Sequence, residues 1–355
     1  MSLNYSLGEE IDDMVLDLVQ RIGPTSSPNL IREIATTAFK LVEDGATRGE
    51  LKIMNSAMKE LRHAFRLFAP YRSHRKVSIF GSARTAPENA EYGIAEALAG
   101  LLARSGFMVI TGAGPGIMEA ANRGAGEESS FGLAIRLPIE PEPNSYIRRA
   151  DRLINFKYFF TRKLVFIKES DAVVLFPGGF GTMDELFELL TLLQTGKCDP
   201  RPVILVDPPG VGYWESWLVF TRGRLAERGY IDPDDLALLS STSDPETAVR
   251  EIDHFYSRYH SSRFVGERLL LRLRRPPEER ELKQWSAEFR DMVAEDGIAL
   301  CELPNEDRED PLLRGLHGIS MLFDRKSFAR LRKLIDAVNG PLDPVPRKGH
   351  TGVNR

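Results

Sequence analysis

The sequence predicts an α/β protein in which a doubly wound parallel sheet stands between a helical prefix and a small α+β appendage. Two observations carry this prediction. From residue 76 onward, short runs of β-branched and aromatic residues alternate with longer runs at helical spacing, which is the βαβ rhythm of a parallel sheet. Glycine-rich turns follow three of the short runs, as they do at the ligand-binding edge of open parallel sheets.

Residues 1–75 are predicted to form the helical prefix. Apolar residues recur at helical spacing in three stretches, near residues 11–19, 31–41 and 51–65. The sequence TSSP at 25–28 has the composition of a helix break followed by a cap. Because the three helices are short, we expect them to pack on the following segment rather than to form an independent bundle.

Residues 76–262 are predicted to form the sheet and its helices. The strands are expected at residues 77–80, 107–111, 131–135, 152–155, 171–176 and 202–206. The helices are expected at residues 88–104, 117–126, 160–169, 182–195 and 214–228. Each strand is thus followed by a connection long enough to return the chain for a parallel neighbour.

The βαβ rhythm stops near residue 262. An arginine-rich stretch at 263–275 meets Pro276 and Pro277, and we interpret it as a domain boundary. The appendage, residues 263–340, is predicted to hold helices at 278–294 and 327–338 and strands at 297–300 and 318–323. The tail, residues 341–355, is rich in proline and charge and is expected to be flexible.

The composition excludes several classes of function. The 355 residues carry a net charge of −4, so a global basic field for nucleic acid is not expected. Cys198 and Cys301 form neither a CxxC motif nor a disulfide framework, which favours a reducing, cytoplasmic location. The six histidines form no HxH or HExxH pattern, and no apolar run reaches transmembrane length. We therefore expect no metal, no nucleic-acid partner and no membrane partner.

The first two glycine turns, Gly81-Ser82 and Gly112-Ala-Gly-Pro-Gly116, favour a ligand without identifying it. Glycine lets the backbone approach a phosphate, and the following helix directs free N–H groups at it. The second turn fails the dinucleotide fingerprint, because residue 117 is isoleucine and Arg136 stands where an acidic residue would be needed. No GxxxxGK[ST] loop occurs either.

The third turn, residues 177–185, reads PGGFGTMDE and is the most informative motif. Its glycines and Thr182 can wrap an anion, while Asp184 and Glu185 are expected in the first turn of the next helix. N-terminal capping alone explains two acids there but not three glycines. Upstream, Arg162 and Lys163 are adjacent cations on a predicted helix; they form either a solvated face or part of the site.

These motifs together resemble the LOG (Lonely Guy) family of cytokinin riboside 5′-monophosphate phosphoribohydrolases and related nucleoside 5′-monophosphate nucleosidases, long mislabelled as lysine decarboxylases. The resemblance covers about residues 76–260. It implies a Rossmann-like fold, a homodimer or higher homo-oligomer, no metal, no redox cofactor, a catalytic pair of Arg162 and Glu185, and a phosphate loop at 178–182. The chain departs from short members in its two added segments and in Ala113, where many members have glycine.

The main hypothesis is hydrolysis of the N-glycosidic bond of a purine nucleoside 5′-monophosphate, with Glu185 stabilising the sugar or activating water. Arg162 would pair with the phosphate or polarise the leaving base. The candidate substrate-binding residues are Gly81, Ser82, Gly112, Gly114, Gly116, Glu140, Asn144, Lys163, Gly178, Gly179, Phe180, Gly181, Thr182, Asp184 and Thr191.

Two other classes of function stay open at this point. A non-catalytic regulatory protein could bind a nucleotide with the same glycine turns, but binding alone does not require a carboxylate beside an anionic ligand. A pyridoxal-phosphate decarboxylase would need a lysine for the Schiff base, and nothing in the sequence distinguishes Lys157, Lys163 or Lys168 for that role.

Overall fold

The computed structural model describes residues 6–25, 27–136, 142–148, 151–294 and 296–342. The chain divides into two compact units, one up to residue 63 and one from residue 64 onward. The expected flexible tail lies outside the described residues from position 343, and the division into domains stays a prediction.

The first unit is helical, as predicted. It contains α1 (Glu9–Ile22), α2 (Pro28–Glu43) and the greater part of α3 (Arg48–Phe68). Pro28 opens α2, where its missing N–H group removes no helical hydrogen bond. Helices α1 and α2 pack on each other.

The second unit holds a parallel sheet with helices on both faces, which confirms the predicted fold class. Its strands are β1 (Lys76–Phe80), β2 (Met108–Thr111), β3 (Ser130–Ile135), β4 (Leu153–Phe156), β5 (Ala172–Leu175), β6 (Val203–Val206) and β7 (Ser240–Thr242). Its helices are α4 (Ala90–Arg104), α5 (Ile117–Ala125), α6 (Phe159–Glu169), α7 (Phe180–Gln194), α8 (Tyr213–Phe220) and α9 (Pro245–Phe255). The strand order is β4-β3-β2-β1-β5-β6-β7, and the paired strands run parallel.

The strand order reverses between β1 and β5, and this switch point positions the site. Val77 pairs with Ala172 on one side, while the other side of β1 pairs with β2. The three glycine turns follow β1, β2 and β5, so they meet at adjacent positions of one sheet edge. Ligands bind in the crevice at such a switch point in open α/β sheets.

Two apolar layers hold this edge rigid. Side chains from α4, α5 and α9 pack on one face of the sheet, and side chains from α7 and α8 pack on the other. Ile79 and Val174 in the first layer, and Leu175 and Trp214 in the second, are fully buried. The β-branched strand runs are buried on both faces, which is why they read as continuous apolar segments in the sequence.

The arginine-rich stretch at 263–275 contributes to a second, antiparallel sheet. Its strands are β8 (Tyr259–Val265), β9 (Arg268–Leu273), β10 (Ala299–Cys301) and β11 (His317–Met321), in the order β10-β11-β9-β8. Helices α10 (Glu279–Glu288), α11 (Asn305–Glu309) and α12 (Phe328–Asn339) accompany it. Strand β8 begins before the predicted boundary at residue 262.

Three further details differ from the expectations. Strand β7 and helix α9 were not predicted, and the helical turns after α8 continue as a π-helix at Thr221–Ala226. Helix α7 begins at Phe180 rather than at residue 182, so Asp184 and Glu185 lie in its second turn and not in its first. Across the described residues, no helix is both long and apolar enough to cross a membrane.

Candidate active site

A cleft of about 1290 Å³ opens at the carboxyl edge of the parallel sheet, over β1, β2 and β5. All three glycine turns line it. The predicted site residues in its wall are Gly81, Ser82, Gly112, Gly114, Arg162, Gly178, Gly179, Phe180, Gly181, Thr182, Asp184 and Glu185. The topology therefore brings together most of the residues that the sequence motifs indicated.

The third turn forms a helix N-terminus that faces the cleft. The first hydrogen bond of α7 runs from the Met183 N–H to the Gly179 carbonyl at 3.1 Å, so the amides of Phe180, Gly181 and Thr182 have no intrahelical acceptor. A side chain at Gly178 would overlap Thr182, which is buried beneath the turn. These N–H groups and the positive end of the helix dipole suit a phosphate.

The first turn is tied to both of the others. The Ser82 N–H donates to the Pro177 carbonyl at 3.0 Å, and the Ser82 carbonyl accepts from the Ile117 N–H at 3.1 Å. Gly116 has a φ of +68° and lies against the backbone of Ser82 and Ala83, so a side chain there would clash. Gly116 thus joins two turns and does not line the cleft.

The second turn is strained and is held from behind. Ala113 has a φ of +62°, in the left-handed region that disfavours residues with a Cβ. Its N–H donates to Thr111 Oγ1 at 3.0 Å, and its carbonyl accepts from the Asn144 N–H at 2.9 Å. The Asn144 amide also donates to the Gly114 carbonyl at 3.0 Å. Asn144, a candidate substrate-binding residue in the sequence analysis, is therefore buried behind the turn and braces it.

Arg162 lies over the second turn. Its Nε donates to the Leu133 carbonyl at 2.7 Å, and its guanidinium occupies the space that a side chain at Gly112 would take. The guanidinium is also 5.3 Å from the centroid of the Phe166 ring. These contacts fix the cation at the wall of the cleft, beside the ends of β2 and β3.

Glu185 is a buried carboxylic acid in the same cleft. Only 8% of the residue is exposed, and its Oε2 has no hydrogen-bond partner among the described residues. Burial raises the pKa of Glu185 to about 7, although the positive charges of Lys163 and Arg162 oppose the increase. A group that titrates near neutrality can take or give a proton under physiological conditions.

Lys163 follows Arg162 directly along α6, but its ammonium group pairs with carboxylates of α7. Its Nζ lies 2.6 Å from Glu188 Oε2, 2.9 Å from Asp184 Oδ2 and 3.7 Å from Glu185 Oε2. Burial alone would lower the pKa of Lys163, but its hydrogen bonds to Glu188 and Asp184 outweigh that effect and raise the pKa. The Lys163 side chain thus pairs with carboxylates of α7 and does not line the cleft.

One of the weaker candidates, Thr191, is not in the cleft wall. Thr191 lies on an exposed part of α7, where its hydroxyl donates to the Phe187 carbonyl at 2.8 Å. Glu140 lies outside the described residues, so its place in the site stays a prediction.

Sequence reasoning missed several residues that line the cleft: Arg84, Met118, Arg136, Asn155 and Tyr213. Arg136 and Asn155 lie at or near the carboxyl ends of β3 and β4, so the predicted strands alone could have indicated them as candidate site residues. Tyr213 gave no local signal. Its hydroxyl donates to the Gly178 carbonyl at 2.5 Å, which supports the third turn from α8.

Residues 118–252 match the protein family described as "Possible lysine decarboxylase". A cytokinin riboside 5′-monophosphate phosphoribohydrolase of Arabidopsis thaliana is 34% identical over 98 residues, which are 28% of this chain and 44% of that protein. A protein of the same name from Mycobacterium tuberculosis is 34% identical over 101 residues, 28% of this chain and 52% of that protein. Among solved structures, the molybdenum cofactor binding protein of Rippkaea orientalis matches with 21% identity and a TM-score of 0.37, over 51% of this chain and 96% of that one.

The sequence matches confirm the resemblance to the LOG family. The family match includes Arg162, Lys163 and the whole third glycine turn. The chain spans about half the length of the curated relatives that it matches.

Proposed function

We propose that this protein hydrolyses the N-glycosidic bond of purine nucleoside 5′-monophosphates, releasing the free base and ribose 5-phosphate. The observation that carries the proposal is the buried Glu185 carboxyl, with a pKa of about 7, in a cleft that also contains Arg162 and a helix N-terminus. A carboxyl group of this kind suits general acid–base chemistry beside a sugar.

The phosphate loop is assigned to residues 178–182. The free amides at the start of α7 would bind the 5′-phosphate, and Gly179 and Gly181 leave the approach to the backbone open, because no atom lies within 4 Å of a side chain added at either position. Binding energy from this remote group would orient the ribose against Glu185.

Arg162 is assigned to the reacting end of the substrate. It lies at the ends of β2 and β3, whereas the phosphate loop follows β5, with β1 between β2 and β5. Neighbouring strands are about 4.8 Å apart, so this offset separates the guanidinium from the loop by the width of two strand spacings. We therefore assign Arg162 to polarising the leaving base rather than to holding the phosphate.

The chemical step breaks the bond between C1′ of the ribose and the base nitrogen. The bonding electrons leave with the base, which takes up a proton, while water adds to the oxocarbenium-like C1′. The ionised Glu185 carboxylate stabilises the developing positive charge and accepts the proton of the attacking water. Atoms balance as one nucleoside monophosphate and one water giving one base and one ribose 5-phosphate.

The curated relatives support this assignment, because the names of both cited proteins describe phosphoribohydrolases that act on cytokinin riboside 5′-monophosphates. Adenine nucleotides and cytokinin riboside monophosphates are the first substrates to test. The family resemblance also motivates our proposal of a cytoplasmic homodimer, and exposed apolar side chains on α6 and α7, namely Phe160, Leu164 and Phe187, offer a face for the partner.

The decarboxylase description of the matching family does not fit this cleft. Among the described residues of its wall there is no lysine that could form a Schiff base with pyridoxal phosphate. Lys163 pairs with carboxylates of α7, and Lys168 lies 2.5 Å from Glu169.

The test is to incubate the purified protein with each nucleoside 5′-monophosphate in turn and to separate the products by chromatography. We expect release of free base from at least one purine monophosphate. If every monophosphate stays intact but one of them binds, the protein is a nucleotide-binding regulator and the hydrolase assignment is wrong.

A further inference from the structure

We propose that Lys163 is a positioning residue for Glu185: its ammonium group ties the second turn of α7 to α6 and thereby holds the Glu185 carboxyl in the cleft, opposite Arg162. The inference rests on the proposed role of Glu185 in turnover. It also replaces the expectation that Lys163 binds substrate.

The geometry of α6 separates the roles of its two adjacent cations. Successive residues of an α-helix point about 100° apart. Arg162 accordingly reaches over Gly112 to the Leu133 carbonyl, while Lys163 reaches sideways to α7. One short helix therefore fixes both members of the proposed catalytic pair, Arg162 directly and Glu185 through Lys163.

The contacts of Lys163 all lie on one stretch of α7. Its Nζ donates to Glu188 Oε2 at 2.6 Å and to the Asp184 carbonyl at 3.4 Å, and it pairs with Asp184 Oδ2 at 2.9 Å. Asp184 and Glu188 are four positions apart and share a helix face. Their two carboxylates hold the ammonium 3.7 Å from Glu185 Oε2, close enough to act on its charge without donating a hydrogen bond to it.

This arrangement leaves the Glu185 carboxyl available to substrate. A lysine bonded directly to Glu185 would occupy one oxygen of its carboxyl, whereas Glu185 lines the cleft and its buried Oε2 has no hydrogen-bond partner among the described residues. Lys163 and Arg162 favour the ionised form of Glu185, and Asp184 and Glu188 disfavour it. Lys163 is the stronger of the two favourable charges.

The experiment follows the titration of Glu185 directly, by carbon NMR of protein labelled at the glutamate carboxyl, with Glu185→Gln to assign the signal. Lys163→Met keeps the length of the side chain and removes its charge. It should raise the midpoint of the Glu185 titration by about 1 pH unit or more, the usual effect of losing a close opposite charge. Lys163→Arg should restore the midpoint toward that of the wild type.

Lys168→Met is the matched control, because Lys168 lies on the same helix and pairs with Glu169 outside the cleft. The midpoint of the Glu185 titration in this variant should equal that of the wild type. Glu188→Gln serves as a second variant that keeps Lys163 and removes a like charge, so it should lower the midpoint. If Lys163→Met does not fold, Lys163→Gln takes its place with the same expected rise of the Glu185 midpoint.

Activity gives a separate readout. The rising limb of kcat/KM against pH should move with the titration midpoint in Lys163→Met. An unmoved midpoint with a raised KM would mean that Lys163 contacts substrate, and it would overturn the inference. Because the titration needs no turnover, absence of base release by the wild type would reject the proposed function and leave the test of Lys163 intact.

Discussion

The guanidinium of Arg162 fills the space in which a side chain at Gly112 would have to lie. The two residues are 50 positions apart in the numbering, yet α6 and the turn after β2 bring them into contact. A side chain at Gly112 would also meet Met118 Sδ, so the glycine leaves room for both the cation and the methionine. This relationship yields the first prediction.

Gly112→Ala should lower kcat/KM by roughly 10-fold to 100-fold without unfolding the protein, because it would displace Arg162 from its proposed catalytic position. Steady-state kinetics with the best nucleoside monophosphate will measure the loss. Gly93→Ala is the control, because a Cβ at that site in α4 meets no atom within 4 Å. In an Arg162→Ala background, Gly112→Ala should cost little more; a full additional loss would show that the cost comes from Met118 or from the turn and not from Arg162.

The helix N-terminus of α7 predicts a preference for 5′-monophosphates. Hydrogen bonds to a charged group contribute about 1.5–3 kcal/mol, so kcat/KM for AMP should exceed that for adenosine by roughly 10-fold to 100-fold or more. Part of the difference should appear in kcat, since the phosphate orients the ribose. Equal kcat/KM values for the two substrates would contradict the assignment of residues 178–182 as a phosphate loop.

Much of the fold could be predicted because the parallel strands are buried on both faces and read as apolar, β-branched runs. The hairpin of β8 and β9 could not, because its arginines conceal the strands. Arg272 is buried, and its charge is neutralised by Asp307 at 2.7 Å, a residue that is distant in the chain. A buried ion pair of this kind leaves no trace in local hydrophobicity.

Prediction of the site from the sequence was limited in the same way, because some of its properties depend on contacts between distant segments. The glycine turns and Glu185 carry a local motif, so the sequence indicates them. The neutral-range pKa of Glu185 depends on its burial, and the contribution of Tyr213 depends on the approach of α8 to the third turn. Neither property can be predicted from one segment of the sequence alone.

The raised pKa of Glu185 also predicts a change of stability with pH. A carboxyl whose pKa rises on folding favours the folded state below its unfolded pKa, and that contribution is lost as the pH rises toward the folded value of about 7. Glutamine does not ionise, so Glu185→Gln does not lose stability in this way as the pH rises. Between pH 4 and pH 8 the variant should gain up to about 3 kcal/mol in the free energy of unfolding relative to the wild type.

Urea denaturation of both proteins across this range measures that gain. Glu267→Gln, on the exposed turn between β8 and β9, is the control and should follow the wild type at every pH. A constant difference between Glu185→Gln and wild type from pH 4 to pH 8 would mean that the carboxyl is ionised normally in the folded protein.

The appendage is predicted to support the catalytic fold without supplying chemical groups. The described residues that line the cleft lie between positions 80 and 213. However, the Phe328 ring lies directly on Gly196 at the end of α7, and Ala329 is part of the apolar layer beneath β5 and β6. Helix α12 thus braces the far end of the helix that carries Glu185.

Phe328→Ala should therefore destabilise the protein by about 2 kcal/mol or more through the cavity it leaves, while kcat/KM below the melting transition stays within a few fold. Thermal denaturation and kinetics on the same sample measure both effects. Leu300→Ala, at an exposed position of β10, should change stability by less than about 0.5 kcal/mol. A loss of activity without a loss of stability would place a catalytic contribution in the appendage.

The most direct measurement is a quantitative product assay with AMP and the preferred purine monophosphate, comparing wild type with Glu185→Gln. The wild type should release base and ribose 5-phosphate in equal amounts. The folded variant should be slower by at least about 100-fold, the scale of a lost charge-stabilising group. Near-wild-type turnover by folded Glu185→Gln, or no base release by the wild type from any nucleoside monophosphate, would contradict the account.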